Sequence, residues 1–144
     1  YGPIVTKRQN TDHFEQYSIQ VNSSNSHQAA PGKKISFAFI QNGATTYRSG
    51  YTTNDVVVPK WTHVIVIADK VADRGRVYIN GREVAVTMDN SAGSWPTIDN
   101  TDALEIARNN STSYFDGAVD DVRVYSRALS AAEAHQLYRL GIYR

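Results

Sequence analysis

The sequence has no cysteine, and it has only one methionine and four prolines among its 144 residues. Without cysteine the chain can form no disulfide, no thiolate nucleophile and no cysteine metal site. No apolar run approaches the roughly 20 residues that a membrane-spanning helix needs. A signal peptide is also missing and the first residue is Tyr1, so we expect a processed product or a fragment of a longer protein.

Positively and negatively charged residues are nearly balanced. The formal net charge is +1, and lysine and arginine form no run. Nucleic acids and anionic membranes attract basic patches, so we expect neither nucleic-acid binding nor membrane insertion. Hydrophobic residues make up 41% of the chain and charged residues 20%, which is typical of a folded protein. The length predicts a single domain over residues 1–144.

Short segments rich in β-branched and aromatic residues dominate the sequence, and Gly, Asn, Ser and Pro separate them. This spacing is typical of a β-sandwich or a barrel. Segment 61–69 is apolar on both faces, which predicts a strand at the centre of a sheet. The other predicted strands are 3–8, 14–22, 34–42, 55–58, 75–80, 82–86, 103–107 and 117–125.

Two local motifs are more specific. Asn80-Gly81 between two β-rich segments predicts a type I′ hairpin turn, because both turn residues need a positive φ. Ser130 and Glu133 form an S-x-x-E capping box that predicts a C-terminal helix of about ten residues, and Gly141 predicts a left-handed end to it. One short helix after many strands favours an all-β domain over βαβ units.

Two blocks of the sequence resemble a known family. "WTHVIVIADKVADRGRVYINGREV" (61–84) is similar to the W-x-H-V…x-Y-[IV]-N-G-x-x-V core of laminin-G-like domains, in the concanavalin A-like jelly-roll group. "YFDGAVDDVRVYSRALSAAEAHQLY" (114–138) resembles the C-terminal signature of that group. The resemblance implies an all-β, two-sheet antiparallel jelly-roll sandwich with one short C-terminal helix. It also implies that Trp61 and His63 serve mainly in packing.

The start of the sequence differs from the usual pattern of this family. Members of the group usually begin with further strands, whereas "PIVTKR" (3–8) is similar to one of their later strands. An open sheet edge favours pairing with another chain. We therefore expect a homo-oligomer or a complementing chain at an exposed edge.

Family members often bind one Ca²⁺, and the resemblance implies Asp120 as a candidate ligand. In a strand over 117–125, Asp120 would share a face with Val122 and Val124, and Asp121 would lie on the other face. A carboxylate among valines needs a cation, backbone N–H groups or a basic side chain. Because Ca²⁺ takes six to eight oxygens, the alternatives are a structural calcium at Asp120 and a carboxylate that the protein itself satisfies.

Carbohydrate binding needs aromatic rings that stack on sugar faces and polar groups that bind hydroxyls. Trp95 is the strongest candidate, because it stands in a Gly/Ser/Pro loop where a large apolar side chain is unexpected. The alternative for each aromatic residue is a partly buried packing role. Two polar segments, expected to be loops or a sheet edge, supply the other candidates: Tyr47, Arg48, Tyr51, Asn109, Asn110 and Tyr114.

Motifs of catalysis are missing from the sequence, including G-x-S-x-G, H-E-x-x-H, the P-loop and the E-x-D-x-x-E run of related glucanases. We therefore predict a non-catalytic, lectin-like carbohydrate-binding module, extracellular or on a bacterial cell surface, whose partner is a glycan or a glycosylated surface. A protein-adhesion module of the same fold is the alternative, because fold alone does not fix function. An enzyme with a site that the sequence does not reveal is the third hypothesis.

Overall fold

The computed structural model describes residues 2–8, 15–21, 32–40, 46–56, 60–90, 95, 101–109 and 113–141. These residues form strands and a single helix near the C-terminus, which confirms the predicted all-β class. The strands are β1 (Gly2–Arg8), β2 (Glu15–Val21), β3 (Ile35–Ile40), β4 (Tyr47–Thr52), β5 (Val64–Asp69), β6 (Arg74–Ile79), β7 (Arg82–Val84), β8 (Val86–Asn90), β9 (Leu104–Ile106), β10 (Arg108–Asn109) and β11 (Ser113–Tyr114), and the helix is α1 (Ala131–Gly141).

The strands form two main sheets. Six of them pair in the order β8-β4-β3-β2-β1-β9, and three pair in the order β5-β6-β7. All of these pairings are antiparallel, and β10 with β11 forms a short separate ribbon. β6 lies against β4 and β8. The predicted two-sheet sandwich is therefore confirmed.

Strand register sorts the side chains of the six-stranded sheet onto two faces. Phe37 pairs with Ile19 on one side and with Gly50 on the other, and Gly50 pairs with Met88. This row faces the three-stranded sheet, because Phe37, Ile19 and Met88 belong to one apolar core. The opposite face carries the row Thr6, Ser18, Ala38, Ser49 and Asp89.

The two sheets meet around Phe37, which is fully buried. A Cβ built at Gly50 of β4 would lie 3.0 Å from Cζ of Phe37, and one built at Gly75 of β6 would overlap the Phe37 ring. Protein cores have little spare volume for added atoms. These two glycines therefore let the sheets approach each other across the phenyl ring.

The helix begins with the predicted capping box. The backbone N–H of Ser130 donates to Oε2 of Glu133 at 2.8 Å, and the backbone N–H of Glu133 donates to Oγ of Ser130 at 3.3 Å. Arg127 forms an ion pair with the same carboxylate. Hydrogen bonds from Arg127 and then from Ser130 lower the pKa of Glu133 to about 2.

The helix packs on the face of the three-stranded sheet that points away from the sandwich. Tyr78 supplies a fully buried ring there. Its hydroxyl donates to Oε2 of Glu83 at 2.7 Å and accepts a hydrogen bond from Arg76, so the polar end of the ring is satisfied. The apolar cluster under the helix consists of Ile67, Tyr78, Leu129 and Ala134.

The predicted strand over 117–125 is wrong, because the structure has no strand in that segment. Asp121 has a φ of 51°, which breaks the extended conformation that a strand needs. The predicted alternation therefore does not apply, and Asp120 and Asp121 are both exposed. Val124 is also 63% exposed.

The central position predicted for segment 61–69 is also wrong. β5 pairs with β6 alone in the described part of the chain and lies at the edge of the three-stranded sheet. The predicted packing role of Trp61 is also wrong, since Trp61 is 72% exposed. The strand begins at Val64, so Trp61 precedes the region that the helix and the other sheet cover. His63 does pack, with its ring centroid 5.8 Å from that of Tyr138.

Other boundaries differ from the predictions. Segment 55–58 shows no strand in its described residues, 55 and 56, whereas the polar segment around Tyr47 forms β4 because it pairs with both β3 and β8. Segment 82–86 is divided between two sheets at Ala85.

The two local predictions that depend on a positive φ have different outcomes. Asn80 and Gly81 have φ values of 50° and 75°, which confirms the predicted turn. Gly141 ends the helix without a positive φ, so its predicted left-handed conformation is wrong.

Candidate functional site

A pocket of about 270 Å³ opens at one end of the sandwich. β7 ends at Val84 in the three-stranded sheet, and β8 begins at Val86 in the six-stranded sheet. Ala85 connects the two sheets and lines the pocket. The backbone N–H of Thr53, just past the end of β4, donates to the carbonyl oxygen of Ala85 at 2.9 Å. The pocket is therefore built where the chain crosses between the sheets.

The pocket has an apolar wall. Val56 is 6% exposed and belongs to the core between the sheets, and Ile79 and Val84 pack against that core. All three line the pocket together with Ala85. This wall is continuous with the hydrophobic core, so its shape is fixed by packing rather than by a mobile side chain.

Polar side chains on the same pocket come from two turns. Oδ1 of Asn80 accepts a hydrogen bond from the backbone N–H of His63 at 2.9 Å, which leaves the NH₂ end of this carboxamide as its donor. The Thr62 hydroxyl donates to the carbonyl oxygen of Lys60 at 3.1 Å, which holds this side chain beside the pocket. Asn80 thus offers an amide donor to the pocket, and Thr62 places a hydroxyl group at it.

The turn after β4 supplies the remaining polar groups. Oγ1 of Thr52 donates to the carbonyl oxygen of Asn54 at 2.9 Å and accepts from the backbone N–H of Ile35 at 3.2 Å. The backbone N–H of Val56 donates to the carbonyl oxygen of Lys33 at 2.6 Å. These bonds fix the turn that carries Asn54 and Asp55, two exposed residues that line the pocket.

The arrangement combines an apolar wall with a carboxylate, two carboxamides and hydroxyl groups. Small-molecule sites in proteins commonly combine such an apolar wall with a few polar groups. Sequence reasoning missed this site, because its residues come from separate segments that converge only in the folded sandwich. Two local signals pointed toward it, the polar run "TTND" (52–55) and the Asn80-Gly81 turn.

Trp95 and Arg48, both predicted to bind sugar, lie next to each other. Cζ of Arg48 lies 5.8 Å from the centre of the Trp95 ring, and the ring of Phe39 lies 5.9 Å from it. Arg48 is 3% exposed, and its Nε donates to Oδ1 of Asp73 at 3.1 Å. Both side chains therefore take part in packing, and their role in sugar binding stays a prediction.

Tyr47 and Tyr51 lie on the opposite face of β4 from Arg48, because side chains alternate along a strand. Both are half-buried. The ammonium group of Lys34 lies 5.0 Å from the centre of the Tyr51 ring, a cation–π distance. The two tyrosines thus share a face, but that face is not shared by Arg48 and Trp95.

The remaining sugar-binding candidates lie at the β10–β11 ribbon. Asn109 is buried, whereas Tyr114 is 62% exposed. The hydroxyl of Thr6 donates to the carbonyl oxygen of Arg108 at 2.8 Å, which ties the ribbon to β1. Asn110 lies outside the described residues. The structure thus distributes the predicted residues over separate places rather than one site.

Asp120, the predicted calcium ligand, is exposed. Its Oδ1 accepts a hydrogen bond from the backbone N–H of Asp121 at 2.7 Å, and Asp121 forms an ion pair with Arg123 at 3.6 Å. In the part of the chain that the structure describes, no three His, Asp or Glu residues form a group that could hold a metal ion. The described residues do not by themselves fit a calcium site, and calcium binding stays a prediction.

Across the described ranges, no helix is long and apolar enough to cross a bilayer.

Comparison with protein families gives a match over residues 2–135 to a laminin-G-type model described as the concanavalin A-like lectin/glucanases superfamily. Among solved structures, an S-layer domain-containing protein (residues 221–444) from Clostridium thermocellum is 26% identical, with a TM-score of 0.40. The alignment covers 94% of this chain and 62% of that one, so the chain spans less than two thirds of that structure. No curated protein matches the sequence.

Proposed function

The chain belongs to the concanavalin A-like lectin/glucanases superfamily, and on that premise we propose that it is a non-catalytic module that binds carbohydrate in the pocket at the end of the sandwich. The observation that carries the proposal is the composition of this pocket, which combines an apolar wall with hydroxyl, carboxamide and carboxylate residues. We place the module outside the cell or on its surface, where glycans are accessible.

The apolar wall suits the C–H face of a sugar. Val56, Ile79 and Val84 present aliphatic groups in a volume of about 270 Å³, slightly below the roughly 300 Å³ at which ligand sites usually begin. A pocket of this size accommodates one sugar unit rather than an extended chain. Burying the C–H face against these residues contributes a non-directional gain in free energy.

The polar groups suit the hydroxyls of a sugar. Asn80 offers an amide donor, and Thr62, Asn54 and Asp55 are further polar residues that line the pocket. A site that pairs its polar groups with hydroxyls discriminates against ligands that lack them, because an unpaired group is left behind. The turns that hold these side chains are fixed by backbone hydrogen bonds, so little ordering is required on binding.

Binding rather than hydrolysis is supported by the number of carboxylates. Glycosidases generally use two carboxyl groups on either side of the bond that they cleave. Asp55 is the one carboxylate among the described residues that line this pocket. The proposed module therefore holds a glycan without cleaving it.

A variant that fills the pocket tests the proposal. Ala85 lines the pocket and is exposed, so Ala85→Phe should occupy the pocket without disturbing the core. We expect the wild type to bind glycans on an array and Ala85→Phe to lose at least tenfold in affinity, about 1.4 kcal/mol. The matched control is Ala132→Phe, an exposed position on α1, which should bind as the wild type does.

Two results would contradict the proposal. An array without any bound glycan would remove carbohydrate recognition and favour a protein-adhesion role. Glycan binding that survives Ala85→Phe would move the site elsewhere, with Trp95, Tyr51 and Tyr114 as the next positions to replace. Thermal unfolding of each variant shows whether a loss of binding reflects a loss of folding.

A further inference from the structure

We infer that the edge of β5 that faces away from β6 is a docking site for an extended segment of another polypeptide chain, which adds to the three-stranded sheet as a further strand. The partner is an amphipathic segment in which aliphatic and polar residues alternate. The inference rests on the open edge of β5 and on apolar surface that the smaller sheet leaves uncovered, and it is independent of carbohydrate binding.

The backbone bonds of β5 show which of its residues face the open edge. The backbone N–H of Asn80 donates to the carbonyl oxygen of His63 at 2.9 Å, and the ladder continues from there into β5. Bonded and non-bonded pairs alternate along an antiparallel ladder, so the N–H and C=O groups of Val64, Val66 and Ala68 point away from β6. In the described part of the chain no strand pairs with this edge, and all three residues are only half-buried.

β5 lacks the features that usually protect an edge strand, which are short length and charged side chains. β7 and β9 are three residues long, and β8 carries the exposed Asp89. β5 is six residues long and is charged only at its last residue. Its valines pack between the sheets and its isoleucines pack under the helix, so both of its faces are apolar. β5 therefore has the character of an internal strand with one neighbour.

The larger sheet extends past β5 and leaves apolar side chains uncovered. β6 lies against β4 and β8, and β7 continues almost directly into β8, so β5 is the strand of the smaller sheet nearest to β1 and β9. Register places Ile106 beside Val5, in the same inner row as Phe37. Phe37 is fully buried, whereas Ile106 is 46% exposed and Leu104 is 40% exposed. The inner face at β9 is therefore apolar and open.

A strand added to β5 would lie beneath β1 and β9 and bury this surface. Its backbone would bond to β5, and every second side chain would face Leu104 and Ile106, which calls for aliphatic residues at those positions. The surface is continuous with the core between the sheets, so the added strand extends an interface that the fold already has. A second sandwich joined edge to edge at β5 would place the projecting parts of both six-stranded sheets in the same space, and a single extended segment avoids this overlap.

Peptide binding followed by amide NMR tests the inference. The probe is an acetylated peptide, long enough to span β5, in which valine alternates with threonine and lysine. The control peptide has the same side chains and an N-methylated backbone, which removes its donors. Val66→Pro removes the N–H that points to the open edge and no bond of the β5–β6 ladder. Val66→Ala keeps that N–H and is the matched control.

We expect the amide of Val66 in the free protein to exchange with deuterium faster than those of Ile65 and Ile67, and the peptide to slow exchange at Val64, Val66 and Ala68. Val66→Pro should weaken peptide binding about tenfold, and Val66→Ala should bind nearly as the wild type does. Thermal unfolding shows whether Val66→Pro folds, and the two peptides with the wild type decide the question if it does not.

Three results would overturn the inference. One is exchange at Val66 that the peptide leaves unchanged. Another is equal binding of the N-methylated peptide, since backbone pairing would then not be the cause. The third is slow exchange at Val66 that depends on protein concentration without any peptide, which would assign the edge to a second copy of this chain.

Discussion

Trp95 is held by two neighbours on the inner side of the sandwich, the ring of Phe39 and the guanidinium of Arg48. Its Nε1 is buried and has no hydrogen-bond partner among the described residues. A half-buried tryptophan with such contacts contributes to stability through its apolar area. Its position therefore gives a prediction that separates packing from sugar binding.

Trp95→Ala should lower the free energy of unfolding by about 1–3 kcal/mol, measured by urea denaturation. Trp61→Ala is the control, because Trp61 is 72% exposed and its replacement should change stability by less than about 0.5 kcal/mol. Unchanged stability of Trp95→Ala, together with lost glycan binding, would contradict a packing role and favour the role predicted from the sequence.

The predicted calcium ligand Asp120 can be tested through the stability of the protein. If it ligates calcium in the folded state alone, calcium must raise the melting temperature and a chelator must lower it. Asp120→Asn should abolish that difference, and Asp116→Asn, an exposed carboxylate in the same segment, should retain it. A melting temperature that calcium and chelator leave unchanged would end the calcium prediction.

The elements predicted from local sequence motifs agree best with the structure. Asn80 and Gly81 carry the positive φ values that their turn type needs, and Ser130 and Glu133 form the capping box. Both signals depend on residues within four positions of each other. The β4 strand was missed, because only its pairing with β3 and β8 makes the polar segment around Tyr47 a strand.

The larger differences between the predictions and the structure arise from contacts between residues that are far apart in the sequence. The apolar pattern of β5 predicts burial on both faces but cannot show which strands lie beside it. The segment around Asp121 has a strand-like sequence but a left-handed residue inside it. For the same reason the pocket could not be predicted, since Thr62, Asn80 and Asp55 meet only through the register of different strands.

His63, which precedes β5, makes the stability of that region dependent on pH. Burial lowers the pKa of His63, nearby Arg123 lowers it further, and Asp121 opposes the shift. A lowered pKa in the folded state means that folding favours neutral His63. Its stabilising contribution is therefore present above the unfolded pKa of about 6.5 and is lost as pH falls through the folded value.

We expect the melting temperature to fall between about pH 8 and pH 5, and His63→Gln to reduce that fall. His135→Gln is the matched control, because His135 is exposed on α1. Differential scanning calorimetry across this range measures the effect. An identical pH dependence in the wild type and His63→Gln would contradict the assignment to His63.

The whole molecule depends on how closely its two sheets approach. Gly75 on β6 lies over the ring of Phe37, so a methyl group there must separate the sheets or displace the ring. Gly75→Ala should destabilise the protein by about 1–3 kcal/mol. Gly141→Ala should be neutral or stabilising by up to about 1 kcal/mol, because no atom lies within 4 Å of a Cβ at that helical position.

Chemical denaturation of both glycine variants measures this difference. Equal stability of Gly75→Ala and the wild type would show that the sheets are not packed tightly at Phe37. A loss in Gly141→Ala as large as that in Gly75→Ala would show that the effect belongs to glycine replacement in general.

The edges of the two sheets bear on whether the whole molecule self-associates. β5 and β9 lie at the ends of their sheets in the described part of the chain, and an edge strand presents unpaired backbone groups. The predicted pairing with a second copy or a complementing chain would use such an edge. Sedimentation over a range of concentrations should then show a dimer at high concentration, and a monomer at every concentration would contradict self-association.

The Asn80-Gly81 turn lies between the pocket and the C-terminal helix. Asn80 lines the pocket and bonds to the backbone of His63, and a Cβ at Gly81 would lie 2.8 Å from the ring of Tyr138 on α1. A ligand bound to Asn80 stabilises this turn in its position and with it the docked helix, and by thermodynamic reciprocity helix docking raises affinity for the ligand. The amide protons of the last helical turns, far from any sugar, should therefore exchange with deuterium more slowly when the pocket is full.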